Sequence, residues 1–432
     1  MRIAVRFAAV LAVGAAGCAM ALQFSATASA QSTETVVYSF CGEKNCADGD
    51  QPFASLLDVN GTLYGTTEWG GTHCKWDVPL GCGTVFSVNP TTGAETVVYS
   101  LCSQKKCNDG AWTAASLIYI KGTLYGATSG RGIYYGGTAF ALNPSTGAQT
   151  VLHSFGSGTD GVNPWAGLLD VNGTLYGTTC CGGANANGGT VFALNPKTGV
   201  ETVVYSFCSQ TNCTDGAGPL ASLTEVNGTL YGTTASGGAN LACFCGTVFS
   251  VNPTTGAETV IYSFCSQKNC KDGAGPVGSL IAVNGSLYGT TSGGGSNTNC
   301  PNSGGFAGCG TVFAIDLSTG AETVLHSFGK GTDGMQPDAG LTEVKGSLYG
   351  TTQQGGSNAN CGWGGQGGCG TVFSIDLSTL RENVLYSFCS QANCTDGMFP
   401  LSNLVAVKGV LYGTTRLGGT NGSGTVFAIM NP

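Results

Sequence analysis

Seven Asp-Gly pairs, at Asp48, Asp109, Asp160, Asp215, Asp272, Asp333 and Asp396, are the first residues of this sequence whose type and spacing could do chemistry. A ring of carboxylates could bind calcium. Asp-Gly is ordinary turn chemistry, however, and isolated carboxylates make weak calcium sites, so each Asp is expected to cap its own turn. No metal or other cofactor is expected. Of the three histidines, His153 and His326 stand where other segments carry Tyr, and His73 is isolated. That leaves no visible seat for a Ser/His/Asp triad. Flat aromatic side chains in variable loops are the candidates for ligand binding: Trp69, Trp76, Tyr134, Tyr135, Phe244, Phe306 and Trp363. Such rings stack on sugars or anchor a protein partner. Trp112 and Trp165 read as packing residues.

The 21 cysteines form a second group. Five Cys-x4-Cys segments predict the bridges Cys41 with Cys46, Cys102 with Cys107, Cys208 with Cys213, Cys265 with Cys270 and Cys389 with Cys394. Longer loops predict Cys74 with Cys82, Cys300 with Cys309 and Cys361 with Cys369. The pairing of Cys180, Cys181, Cys243 and Cys245 stays open, because bridging residues one or two apart is strained. Zinc binding is disfavoured, since no His lies near these clusters at zinc-site spacing.

These residues hang on a repeat. Leu-Tyr-Gly-Thr-Thr or a close variant begins at Leu63, Leu124, Leu175, Leu230, Leu287, Leu348 and Leu411. Gly-Thr-Val-Phe begins at Gly83, Gly137, Gly189, Gly246, Gly310, Gly370 and Gly424, and Glu-Thr-Val-Val-Tyr-Ser-Phe or a variant at Glu34, Glu95, Gln149, Glu201, Glu258, Glu322 and Glu382. Each unit reads as four short strands bounded by turn residues such as Asn60-Gly61 and Asn89-Pro90-Thr91-Thr92-Gly93. The predicted fold is all-β: a seven-bladed β-propeller of four-stranded antiparallel blades, closed by the N-terminal strand completing the last blade. The tight turns then share one face, and the long cysteine-bearing loops gather on the other.

Residues 1–30 read as a signal peptide, with Arg2 and Arg6 before an apolar run and Ala28-Ser29-Ala30 at the cleavage position, leaving residues 31–432 as one propeller domain. Lipidation at Cys18 is the lesser reading. The formal net charge is −8. It becomes more negative when Arg2 and Arg6 are lost, which argues against nucleic acid as a partner. No apolar stretch after the leader is long enough for a membrane span. An exported location is expected, secreted or periplasmic, with the cysteines oxidised.

The three phrases, the Gly-Gly connection and the following Asp-Gly resemble the GloVer tandem-repeat family of exported bacterial proteins over nearly all of residues 34–430. The resemblance implies a repeat fold and carries no catalytic residues with it. The chain ends at Pro432 without a sorting motif, which favours a released or periplasmic protein. The first functional reading is a non-enzymatic binding or scaffold protein that takes a glycan or an extracellular protein at its disulfide-braced face. The alternative is an extracellular or periplasmic carbohydrate-active enzyme, a lyase or hydrolase, with carboxylates at the central channel.

Overall fold

Asn60 and Gly61 both adopt positive φ, at 55° and 86°, and close the hairpin between Leu57–Val59 and Thr62–Trp69. Positive φ at both central residues matches the right-handed twist of the flanking strands, and for that reason Asn-Gly serves here. Thr84–Val88 and Glu95–Ser100 complete the blade. Between them Asn89 Oδ1 accepts the N–H groups of Thr91 and Thr92 at 2.9 and 3.1 Å, holding a turn that ends in Gly93 at φ 71°. The computed structural model describes residues 32–73, 81–240, 245–297, 300, 307–358, 361 and 367–430. It contains seven antiparallel sheets, each with the same four-strand order; short segments Asp50–Pro52 and Met398–Pro400 add to two of them.

The ring closes as expected. Thr33–Ser39 pairs antiparallel with Thr425–Met430, in the register Thr33 with Met430 through Ser39 with Thr425. The first strand is therefore the outer strand of the seventh blade, and no blade is left with three strands.

Blades are joined by aromatic packing. Phe40, at the end of one blade's outer strand, meets Phe86 of the next blade's third strand at 4.9 Å, edge to face. The same pair recurs as Phe207 with Phe249 and Phe388 with Phe427. These rings are fully buried, worth about 1.5–3 kcal/mol each against exposure. The glycine of Leu-Tyr-Gly follows from this packing. A Cβ at Gly65 would lie 2.5 Å from the ring of Phe86, its partner on the adjacent strand of the same blade, so any side chain there would displace that ring.

The loop face is held by the Asp-Gly residues and the disulfides together. Asp48 accepts Tyr38 Oη at 2.8 Å and the N–H groups of Gly42 and Glu43 at 2.9 and 3.2 Å. Asp109, Asp215, Asp272 and Asp396 repeat the pattern, and His153 and His326 replace the tyrosine toward Asp160 and Asp333 at 3.0 and 3.1 Å. These carboxylates are buried and engaged by their own loops, which is the turn-capping role. The five Cys-x4-Cys bridges form as expected, as do Cys300–Cys309 and Cys361–Cys369. Cys82 and Cys245 are also disulfide-bonded, while Cys74 and Cys243 lie outside the described residues. Cys180 and Cys181 are free thiols. Among the described residues no helix is long and apolar enough to cross a membrane.

Candidate active site

Each blade is preceded by a short segment that passes closest to the propeller axis: Pro52 to Leu56, Thr113 to Leu117, Pro164 to Leu168, Pro219 to Leu223, Pro276 to Leu280, Pro337 to Leu341 and Pro400 to Leu404. Within it the final Leu is buried between blades. The residue three positions before that Leu turns to the axis, giving a ring of seven: Phe53, Ala114, Trp165, Leu220, Val277, Asp338 and Leu401. A lower ring of Ser55, Ser116, Ser222, Ser279 and Asn403 stitches neighbouring segments together. Ser116 Oγ accepts the N–H of Ser55 at 3.2 Å, Ser279 Oγ that of Ser222 at 3.2 Å, and Asn403 Oδ1 that of Gly340 at 2.7 Å. These bonds fix the backbone that carries the upper ring.

The rings line a cavity of about 660 Å³. At its mouth stand residues from the ends of the second strands, among them Ser292, Gln353 and Arg416. Identical units would give a seven-fold symmetric funnel, and the departures from symmetry give it chemical character. Polar groups collect on the sixth and seventh blades: Asp338, Gln336, Gln353, Asn403 and Arg416. Phe53, beside Arg416, and Trp165 present part-exposed rings with centroids 6.5 Å apart.

Among the described residues lining the cavity, Asp338 is the one acid and Arg416 the one base. Asp338 keeps an edge on the cavity, but its Oδ1 is closed off from solvent and has no hydrogen-bond partner. Burial alone pushes its pKa up to about 7. A carboxyl near neutrality can both take and give a proton at physiological pH, unlike the capped Asp-Gly residues. Arg416 is held from three sides. Its Nε donates to Gln51 Oε1 at 3.0 Å, its Nη2 lies 3.6 Å from Glu68 Oε2, and its guanidinium sits 5.9 Å from the Phe53 ring centre. Burial raises the pKa of Glu68, and Arg416 opposes that rise.

Of the aromatic residues singled out from sequence, Trp69 packs on Trp112 at 6.0 Å, and Arg131 lies over Trp112 at 5.3 Å. Tyr134 and Tyr135 are 53% and 64% exposed, next to exposed Ile133, free to meet a ligand. Trp76, Phe244, Phe306 and Trp363 lie outside the described residues. Trp165, read as a packing residue, faces the cavity, and Trp112 does pack. Asp338, Arg416 and Phe53 were missed. The available signal was variation: at the position of Asp338, six units carry an apolar residue and one carries a carboxyl. Three trios of sulfur, such as Cys82 with Cys102 and Cys107, come together where neighbouring bridges meet.

The Gloeobacter/Verrucomicrobia repeat matches residues 22–155, 74–301 and 301–432, and the chain belongs to this family. No curated protein is similar to it in sequence. Among solved structures, an oligogalacturonate lyase from Vibrio parahaemolyticus is similar over 93% of this chain and 97% of its own, with 6% identity and a TM-score of 0.53. An oligogalacturonate lyase in complex with manganese covers the same shares at 10% identity and a TM-score of 0.49. A chain of the nidogen/laminin complex matches 70% of this chain and 90% of its own, with 13% identity and a TM-score of 0.41. The likeness is one of fold. It nevertheless counts against the expectation that a non-enzymatic role is the better reading, because a propeller of the same fold over nearly the whole chain is an oligogalacturonate lyase. What the sequence reading lacked is the axial cavity, whose one carboxyl among the described lining residues comes from a short segment that looks like ordinary framework in the sequence.

Proposed function

We propose that this protein is a carbohydrate-active enzyme, a lyase or hydrolase, that works in the central cavity with Asp338 as its acid–base group. The observation that carries this reading is the single ring carboxyl with an unpartnered, enclosed oxygen and a pKa near 7, set in a cavity lined by both aromatic faces and side-chain amides. Aromatic faces suit the apolar face of a sugar ring, and Gln336, Gln353 and Asn403 suit its hydroxyls. The protein is proposed to act outside the cytoplasm on a glycan. Trp69, Tyr134 and Tyr135, and from the sequence Trp76, Phe244, Phe306 and Trp363, are proposed to contact the parts of the glycan that project beyond the cavity.

The test is cleavage of a polysaccharide panel by the oxidised protein, read as released reducing ends. Asp338→Asn is expected to abolish turnover on any substrate found while retaining binding and the native circular dichroism. An active Asp338→Asn enzyme would remove this residue from the mechanism.

A further inference from the structure

Resting on that reading of Asp338, we infer that the cavity takes the uronate units of an acidic polysaccharide and cuts the chain by β-elimination rather than hydrolysis. Two observations point there. First, glycoside hydrolysis in most enzymes needs two carboxyl groups about 5–9.5 Å apart, one on each side of the scissile bond. Asp338 is the one carboxyl among the described residues lining the cavity, and Glu68, which does not line it, is engaged by Arg416. Second, elimination needs a single proton carrier and a fixed cation beside the substrate carboxylate, and the cavity has one of each. The chain's net charge of −8 opposes a polyanion, so holding one requires a local cation. Arg416 fills that role. Its Nε and one Nη are held by Gln51 and Glu68, which orients the planar fork and leaves its other N–H groups for a substrate carboxylate.

The step balances on these two residues. Ionised Asp338 removes the proton on the carbon next to the uronate carboxylate. The electron pair of that C–H bond becomes the new C=C bond of the sugar ring, and the glycosidic C–O bond at the adjacent carbon breaks with its electrons going to oxygen. Asp338 then returns the proton to the departing oxygen and is ionised again. No water is consumed. Arg416 stabilises the negative charge that builds on the substrate carboxylate as the proton leaves.

Two readouts on the same digests separate the possibilities. Polymers of galacturonate, glucuronate and mannuronate, with neutral β-glucan and xylan as controls, are incubated with the protein and followed by reducing ends and by the ultraviolet absorbance of the conjugated unsaturated uronate. The inference expects both signals to rise together on at least one uronate polymer, and neither on the neutral ones. Methyl esterification of the same polymer should weaken its binding to the inactive Asp338→Asn protein, read by calorimetry. The double variant Glu68→Gln/Arg416→Gln, which leaves no lone charge behind, should lose at least about 100-fold in kcat/KM, and Arg416→Lys should recover part of it. Reducing ends without the absorbance, lost in Asp338→Asn, would overturn elimination and leave the acid–base role of Asp338 standing. No product from any polymer, with no oligosaccharide bound by Asp338→Asn, would overturn both.

Discussion

The backbone N–H of Asn403 donates to Ser55 Oγ at 3.0 Å, joining residues 348 positions apart. This bond joins the seventh blade to the first, and at the rim the outer strand Thr33–Ser39 completes the seventh blade by pairing with its third strand, Thr425–Met430. Ser55→Ala removes the inner latch and leaves a half-buried N–H unpaired. The expected loss is about 1 kcal/mol in denaturant unfolding, with the ring intact. A variant without residues 32–40 exposes the edge of the last blade, and size-exclusion chromatography should find it associated or unfolded.

Asp338 couples activity and stability to pH in opposite directions. As a base it acts when ionised, so kcat/KM is expected to rise through about pH 7 and level off above it. For stability, its folded pKa of about 7 lies above the ordinary 3.8, so the folded protein holds a proton that the unfolded chain has released between those values. Stability from this group is full below the lower value and lost as pH rises through the upper one. Asp338→Asn should therefore raise the melting temperature at pH 8 by an amount corresponding to a few kcal/mol, at 1.36 kcal/mol per pKa unit, and leave it unchanged at pH 4. An inactive variant that is more stable is the signature of a carboxyl kept for function.

A second pH effect is spread round the rim. Glu34, Glu95, Glu201, Glu258, Glu322 and Glu382 begin the outer strands, each with an enclosed and unpartnered carboxyl oxygen. Burial first, then the Asp-Gly carboxylate of the preceding blade, raises Glu34 and Glu95 to about 8 and Glu201, Glu258 and Glu322 to about 7. Glu382 is raised by burial to about 7 as well, with His326 opposing. All are acids with raised values, so they favour the folded ring at low pH and cost stability as pH climbs past 7. The melting temperature is expected to fall between pH 5 and 8. Gln149 occupies the equivalent position in the second blade, so Glu→Gln is already compatible with the fold. Glu258→Gln/Glu322→Gln should flatten the pH profile, and an unchanged slope would place its origin elsewhere.

The Cys300–Cys309 bridge spans a loop whose second cysteine is buried against Phe328 and Val312. Replacing both with Ala is expected to cost about 2 kcal/mol by the loop-entropy relation, measured by urea unfolding. Catalysis should be retained, since neither cysteine lines the cavity.

Trp165→Ala keeps Asp338 and Arg416 but removes one aromatic wall. KM is expected to rise about tenfold with kcat little changed, the pattern of a group that holds substrate and transition state alike. A fall in kcat alone would mean that Trp165 shapes the reacting geometry.

The framework was readable because every blade repeats the same physical demand. Gly65 and its counterparts are glycine because a neighbouring Phe ring occupies the space of a side chain, and Asn60-Gly61 is a turn wherever it occurs. The Asp-Gly residues likewise revealed their role through repetition. Asp338 was hidden for the converse reason. It occurs once, in Pro337-Asp338-Ala339-Gly340-Leu341, and nothing local says that this position faces the axis. Only the twist of seven blades brings it into one ring with Phe53 and Trp165. Arg416 looked equally ordinary, because its partners Gln51 and Phe53 lie more than 360 residues away along the chain.

The pairing of Thr33–Ser39 with Thr425–Met430 also sets an order of events. The earliest segment of the propeller to leave the ribosome has its partner synthesised last, so it must wait through six complete blades before it can be stored in a sheet. Until then the nascent protein carries two unmatched edges at once, and its final step is a contact between its extremes, the slowest kind to find by diffusion of a chain. The seventh blade, which gives Leu401, Asn403 and Arg416 to the axial cavity, is thus complete only after the two extremes of the propeller have met.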